Sequence, residues 1–313
     1  MKIPVAVFSY NRPGHTQKAL EALSQCNGLE HCQIYLFSDA PREPAQTARV
    51  EETRTVLRHW ADRLGATLVE RSENLGLSKS IVSGVSSLCD EYGRVIVLED
   101  DLIVGPDFLT YMVSALERYA DEAQVMQIGG CTLASPSPLA RDAFFLPVTT
   151  TWGWATWGRA WRQFSWVPAD LEAARTEPQW LEIFNLHGTY NYLQMLDDRL
   201  AGRNDSWGIL WWYAVSRQGG LVLYPKTNLV QNIGFDGSGI HCGAGDFDTE
   251  LAASAPDNAR ELAWPDGIAY EPAHLARLEA FLAPPQSSVA AAHPPSRLLQ
   301  FCKTTLSRLT KMA

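Results

Sequence analysis

The chain lacks an excess of positive charge. Its 35 acidic residues outnumber 26 basic ones, a formal net charge of −9 over 313 residues. A nucleic-acid binder needs a basic face to neutralise phosphates, so the charge argues against that class. No apolar run approaches the ~20 residues of a membrane span, and no leader precedes the first apolar run at Ile3. A cytoplasmic protein is therefore expected. Neither GxGxxG nor GxxxxGK[ST] follows that run, which argues against a dinucleotide dehydrogenase and a P-loop NTPase. Cysteine is sparse: Cys26, Cys32, Cys89, Cys131, Cys242 and Cys302 are scattered and read as reduced thiols. Cys26, His31 and Cys32 have no evident fourth metal ligand.

With 46% hydrophobic residues, the chain can bury a full-sized core. Strand and helix patterns alternate through the first ~130 residues. Apolar runs at Ile3–Phe8, Ile34–Phe37, Ala66–Val69 and Val95–Leu98 read as strands. Helical periodicity falls at Thr16–Leu23, at Val50, Leu57, Trp60 and Leu64, and at Leu77, Ile81, Val85 and Leu88. Phe108, Met112, Leu116 and Tyr119 mark a further helix, with Pro106 expected in its first turn. Such alternation predicts an α/β fold with a mostly parallel sheet flanked by helices. Right-handed crossovers then bring every strand's carboxyl end to one edge, where open α/β sheets bind ligands.

Glu99-Asp100-Asp101 ends the fourth strand at that edge. Hard cations such as Mg²⁺ or Mn²⁺ favour carboxylate oxygens and bridge them to phosphates. A solvated acidic turn is the plainer alternative. Around the acids the same edge collects Ser9, Tyr10, Asn11 and Arg12, then Asp39, Pro41 and Arg42, then Asn74, Gly76 and Lys79. A nucleoside diphosphate needs groups for base, ribose, phosphates and metal, and these loops offer candidates for each. Each also has a simpler reading: Asn11 as a helix cap, Asp39 as a turn residue, Lys79 as a surface lysine.

The second half is rich in tryptophan, eleven in the whole chain. Thr149 to Gly158 interleaves Trp152, Trp154 and Trp157 with small residues, which suits either core packing or a wall close to a sugar. Asn204-Asp205-Ser206-Trp207 opens a helix running to about Arg217, stopped by Gly219-Gly220; Asp205 could be its N-cap. Leu221–Tyr224 reads as a strand. The glycine-rich stretch Asn232 to Cys242 has the length of a lid loop. Pro and Ala become frequent from about Ala253, and Ala283 to Ser296 reads as a linker. The last stretch, 296–313, carries Arg297, Lys303, Arg308 and Lys311 among leucines and no acids. It reads as a basic amphipathic helix, suited to a membrane surface or to packing on protein.

Val97-Leu98-Glu99-Asp100-Asp101-Leu102 followed by Pro106-Asp107-Phe108 resembles the metal-site segment of GT-A fold, nucleotide-sugar-dependent glycosyltransferases. The resemblance is to the N-acetylglucosaminyltransferase I and protein O-mannose N-acetylglucosaminyltransferase group and to related bacterial sugar transferases. It runs from about residue 3 to residue 245. It implies that Asp101 is the direct Mn²⁺ (or Mg²⁺) ligand, with Glu99 and Asp100 beside the nucleotide. Ser9-Tyr10-Asn11-Arg12 resembles the uridine and phosphate loop, with Arg12 on phosphate; Asp39 matches the uridine-holding position. Asn74 to Lys79 resembles the loop entering the helix beside the nucleotide, and Gly153-Trp154 the wall near the donor sugar. Asp205-Ser206-Trp207 resembles the catalytic-base segment, with Ser206 in place of the usual second acid and Trp207 at the acceptor. Gly234 to His241, including Gly237, Ser238 and His241, resembles the loop that closes over the diphosphate.

The expected activity is transfer of a sugar from a UDP-sugar, such as UDP-N-acetylglucosamine, to a glycan or lipid-linked saccharide, with inversion. Asp205 is the expected base and Asp236 its runner-up. Residues 1–130 would form the nucleotide half, 131–250 the acceptor half, 251–295 a Pro/Ala-rich extension and 296–313 the basic tail. Peripheral contact with the inner face of a cell membrane would follow from that tail. A sugar nucleotidyltransferase and a non-catalytic carbohydrate-binding protein are the alternatives.

Overall fold

The computed structural model describes residues 2–135, 139–237, 251 and 261–283. Strand β1 (Ile3–Ser9) leads into helix α1 (Pro13–Ser24), and β2 (Cys32–Ser38) into α2 (Thr47–Leu64). Then β3 (Thr67–Glu70) precedes α3 (Gly76–Tyr92), and β4 (Arg94–Glu99) ends at the acids. A short β5 (Leu102–Val104) follows before α4 (Phe108–Arg118), β6 (Val125–Gly129), β7 (Ala143–Leu146) and β8 (Trp154–Trp157). Helices α5 (Gly158–Trp161), α6 (Leu171–Ala174), α7 (Pro178–Phe184), α8 (Tyr192–Leu200) and α9 (Trp207–Arg217) come next. The chain continues with β9 (Leu221–Pro225), β10 (Val230–Asn232) and α10 (Pro272–Leu282).

The main sheet has eight strands in the order β3-β2-β1-β4-β8-β6-β9-β7. The run from β3 to β4 is parallel; β8 is inserted antiparallel between β4 and β6. The expected α/β sheet with helices on both sides is what forms, as a mixed sheet. Strand β1 shows why its apolar run is continuous. Val5 and Val7 face a core built with α1, α2 and α4, while Ala6 and Phe8 face one built with α3 and α9. A strand buried on both faces has no polar side.

Two local features depart from the sequence reading. Helix α4 starts at Phe108, because a turn closed by the Phe108 N–H on the Gly105 carbonyl (3.0 Å) keeps Pro106 outside it. The acids also lead straight into β5, which pairs antiparallel with β10 in a second, two-stranded sheet. That pairing delivers the segment after β10 to the acid cluster.

Residues 261–283 pack onto the body. Ala263 and Asp142 exchange hydrogen bonds, Trp264 stacks on Tyr111, and Leu275, Leu278 and Leu282 of α10 enter the core. The linker from 284 onward and the tail at 296–313 lie outside the described residues, as do Ser238 and His241 of the expected closing loop. No helix among the described residues is long and apolar enough to cross a membrane.

Candidate active site

The carboxyl ends of β1, β2 and β4 meet at one edge, and the acids sit at its centre. Asp100 and Asp101 are buried. One guanidinium nitrogen, Arg12 Nη2, serves both: 2.5 Å from Asp100 Oδ1 and 2.9 Å from Asp101 Oδ2. The Tyr10 N–H donates to Asp100 Oδ2 at 3.2 Å. Glu99 lies half-buried behind them. Burial, then the charges of Asp101 and Asp100, push its carboxyl up to about 8 against the pull of Arg12. Burial also raises Asp100, partly offset by Arg12. On Arg12 itself burial works downward, but the two aspartates reverse it and the guanidinium ends raised. Its Nη1 is buried with no hydrogen-bond partner among the described residues.

Three carboxylates against one cation leave this cluster short of positive charge. The donors are hard oxygens, the chemistry that Mn²⁺ and Mg²⁺ select. The segment after β10 is shaped to the cluster. Ile233 N–H donates to the Asp101 carbonyl at 2.9 Å, and Gly234 passes so near that a Cβ there would run into Asp101 Oδ2. Beyond it, Asp236 pairs with His15 of α1 at 3.2 Å. Among the described residues no three His, Cys, Asp or Glu side chains form a complete ligand set.

Asp39 is the second hub. Its Oδ1 accepts from the N–H groups of Ala40 and Leu75 (both 3.0 Å), and its Oδ2 from that of Gly76 (2.9 Å). Asn74 donates to the Ala40 carbonyl at 2.7 Å. The carboxylate thus binds the start of α3 to the loop after β2, a favourable place for a negative charge. Asn11 does not cap α1; Arg12 holds the cap position and no side chain bonds there. Ser9 is buried, with Oγ unpaired among the described residues. Lys79 is exposed in the first turn of α3, and among the described residues no ion pair joins it to the acids.

The base candidate stands on the same edge. Ser206, not Asp205, caps α9: its Oγ accepts from the Ile209 N–H at 3.3 Å. The cap reading of Asp205 is therefore corrected, and Asp205 lies exposed just before the helix. The Ser78 hydroxyl of α3 donates to the Asp205 carbonyl, tying the two halves together. The aromatic wall is also corrected. Gly153, Trp154 and Trp207 are buried, Trp154 at 1% exposure. Because β8 lies inside the sheet, its alternate residues face the two cores. The Trp154 indole stacks on Trp207 (5.3 Å) within a cluster that includes Trp161 and Trp211. Gln127 joins that cluster to the loop before β8, accepting from Trp211 Nε1 and donating to the Thr150 carbonyl (both 2.6 Å).

The sequence reading missed Arg71 and, within the Asn74–Lys79 stretch, the contact that Ser78 makes with Asp205. Arg71 follows β3 at the same edge; its N–H donates to the Ser38 carbonyl at 2.9 Å and its guanidinium donates to Ser83 Oγ (2.9 Å). Burial lowers its pKa against the opposing charge of Asp39. Its place just after the third strand was the available signal. The four cysteines among the described residues, Cys26, Cys32, Cys89 and Cys131, are buried free thiols.

No family model matches the chain, and no curated protein matches it by sequence. Among solved structures the chain is similar to glycosyltransferases. One is TarS of S. aureus, at 13% identity and a TM-score of 0.31 over 48% of this chain. This chain spans 25% of TarS. A second is the mannosyltransferase PcManGT of Pyrobaculum calidifontis in complex with GDP-Man and Mn²⁺, at 15% identity and a TM-score of 0.39, covering 70% of this chain and 73% of that one. A third is mouse xyloside xylosyltransferase 1, at 11% identity and a TM-score of 0.37, covering 64% and 84%.

Proposed function

We propose that this chain is a metal-dependent glycosyltransferase. It moves a sugar from a UDP-sugar, such as UDP-N-acetylglucosamine, to a hydroxyl of a glycan or lipid-linked saccharide, with inversion. The observation that carries the reading is the acid cluster at the strand ends, where Asp100 and Asp101 share one nitrogen of Arg12. Asp101 would hold Mn²⁺ or Mg²⁺, with Glu99 and Asp100 beside the nucleotide. Bound there, the cation would neutralise charge on the leaving diphosphate. Arg12 would present its second nitrogen to a phosphate oxygen while holding both aspartates in place. The Asp39 turn, with Ser9, Tyr10, Asn11 and Asn74 around it, would hold the nucleoside.

Asp205 would accept the acceptor hydroxyl's proton as the new C1–O bond forms. The bond from C1 to the diphosphate oxygen breaks on the opposite face, and the nucleoside diphosphate leaves with the electron pair. General-base help of this kind is worth about 10²–10⁴-fold. A cytoplasmic location, with segment 296–313 against a membrane surface, belongs to the same proposal.

The test is a nucleotide-sugar panel, read as binding and slow hydrolysis with and without Mn²⁺. Wild type is expected to bind one UDP-sugar only with the metal, and Asp101→Ala to lose that binding and turnover. Release of pyrophosphate from a nucleoside triphosphate would instead indicate a nucleotidyltransferase. Glycan binding that needs neither metal nor nucleotide would indicate a binding protein. Asp205→Asn is expected to keep donor affinity while turnover falls; equal loss of both would make Asp205 structural.

A further inference from the structure

The four residues after β10 form a strap against Asp101. The Ile233 N–H donates to the Asp101 carbonyl at 2.9 Å, and the Gly234 N–H turns back onto Asn232 Oδ1 at 2.7 Å. A Cβ on Gly234 would collide with Asp101 Oδ2. Gly234 is not among the glycines at positive φ, so its backbone would accept any residue. What excludes a side chain there is the carboxylate itself. Phe235 meets buried Trp152 edge-on at 5.6 Å. Asp236 Oδ2 then lies 3.2 Å from His15 Nε2, and Gly237 follows in a left-handed turn position at φ 83°.

The far anchor of the strap is tied to the same acids. His15 stands in the first turn of α1, three residues after Arg12. Thr16 fixes that turn, its N–H and its hydroxyl both donating to the Arg12 carbonyl at 3.0 Å. Arg12 in turn bonds Asp100 and Asp101. The contacts close a ring: from Asp101 to Arg12, along α1 to His15, across to Asp236, and back through Gly234 to Asp101. Within that ring Asp101 Oδ2 has Arg12 Nη2 and Gly234 against it, and the Asp101 side chain is only 13% exposed.

We propose that the His15–Asp236 pair latches this strap, and that the latched strap sets how fast a divalent cation reaches and leaves Asp101. The inference rests on the reading of Asp101 as the metal ligand, and it is independent of which sugar is moved. His15 touches no reacting atom; it is a positioning residue that acts through Asp236 and Gly234. A latch has to open, and this pair is weak enough to do so. The Asp236 side chain is 48% exposed, and a pair of that kind shifts an equilibrium by about two- to fivefold. Local opening of four residues leaves the strands beneath them intact.

Two rates run through the open strap: hydrogen exchange at the Ile233 and Gly234 amides, and passage of the cation. Both are read on the full chain, exchange without metal, and Mn²⁺ binding and release to excess EDTA by stopped flow with UDP present. His15→Ala should speed exchange at both amides about two- to fivefold, with the amides of β1 and β4 unchanged. It should speed Mn²⁺ binding and release by the same factor, so that Kd stays as in wild type. His15→Gln, which keeps an N–H donor, should restore both rates. Asp236→Ala should match His15→Ala, and the double variant should add nothing to either. Unchanged exchange in His15→Ala overturns the latch. Faster exchange with unchanged Mn²⁺ rates overturns its control of access. A weaker Mn²⁺ Kd in Asp236→Ala than in His15→Ala also overturns the proposal, by making Asp236 a ligand. If wild type binds no Mn²⁺ while exchange responds as expected, the metal reading of Asp101 falls, and the pair is a fold contact only.

Discussion

Arg217 and Arg12 each face two carboxylates, and the two clusters come out with opposite electrostatics. At the far end of α9, Arg217 meets Asp170 at 2.8 Å and Glu177 at 2.7 Å, with the Tyr213 hydroxyl also donating to Asp170 (2.7 Å). Both acids there lie open to solvent. Asp170 ends below the usual range: what burial it has acts upward, but the bonds from Tyr213 and Arg217 outweigh it. At the strand ends, Arg12 meets Asp100 and Asp101 at comparable distances. Yet Asp100 and Glu99 are pushed up, with burial the leading cause. The cation-to-acid ratio of the direct pairs is the same. Water decides the sign: it solvates the first cluster and is excluded from the second. A buried, under-neutralised acid cluster is poorly suited to stabilising a fold and well suited to taking up a cation.

Removing each arginine should break the comparison most. Arg12→Ala strands two buried aspartates and should cost about 3–5 kcal/mol in urea unfolding of the metal-free protein. Arg217→Ala removes solvent-screened pairs and should stay within about 1 kcal/mol. Equal losses would mean that burial does not separate the clusters.

A pH series sharpens the same contrast. Glu99 is raised from its ordinary value to about 8. Between roughly pH 4.5 and 8 the unfolded chain has therefore released a proton that the folded chain retains, so stability should fall as pH rises. Asp170 is lowered, so its contribution is present above the ordinary carboxylate range and is lost as pH falls through the folded value. Unfolding followed from pH 3 to 9 should show both slopes. Glu99→Gln should remove the upper one and Asp170→Asn the lower. A rise in stability from pH 5 to 8 that Glu99→Gln abolishes would contradict the assignment.

Much of this site was legible in the chain because it is local. Strand runs, the acid triplet at a strand end and the loops on one edge are short-range patterns, and right-handed crossovers place them together. What was not legible depended on distant partners. Trp154 looked like a wall because small residues surround it, but β8 enters the sheet between β4 and β6 and buries it. Asp205 looked like a cap until Ser206 took that bond. Strand β5 is three residues long and exists through β10, more than a hundred residues later. Ser78 lies within the Asn74–Lys79 stretch, but nothing in that stretch points to its partner, which is 127 residues away.

That last contact carries the smallest expected effect and links the start of α3 to Asp205, the proposed base. Asp39 fixes the start of α3 through Leu75 and Gly76, and two residues further on Ser78 holds the Asp205 carbonyl. Ser78 touches no reacting atom in this reading; it is a positioning residue. Ser78→Ala removes one hydrogen bond worth about 1 kcal/mol, which corresponds to roughly a fivefold change. The loss should fall on kcat with acceptor, because the base is displaced, while donor KM and acceptor-independent hydrolysis hold. Ser78→Thr, which keeps the hydroxyl, should recover most of it. If Ser78→Ala instead raises donor KM with kcat intact, the contact serves α3 and the nucleotide side, and Asp205 is held by other means.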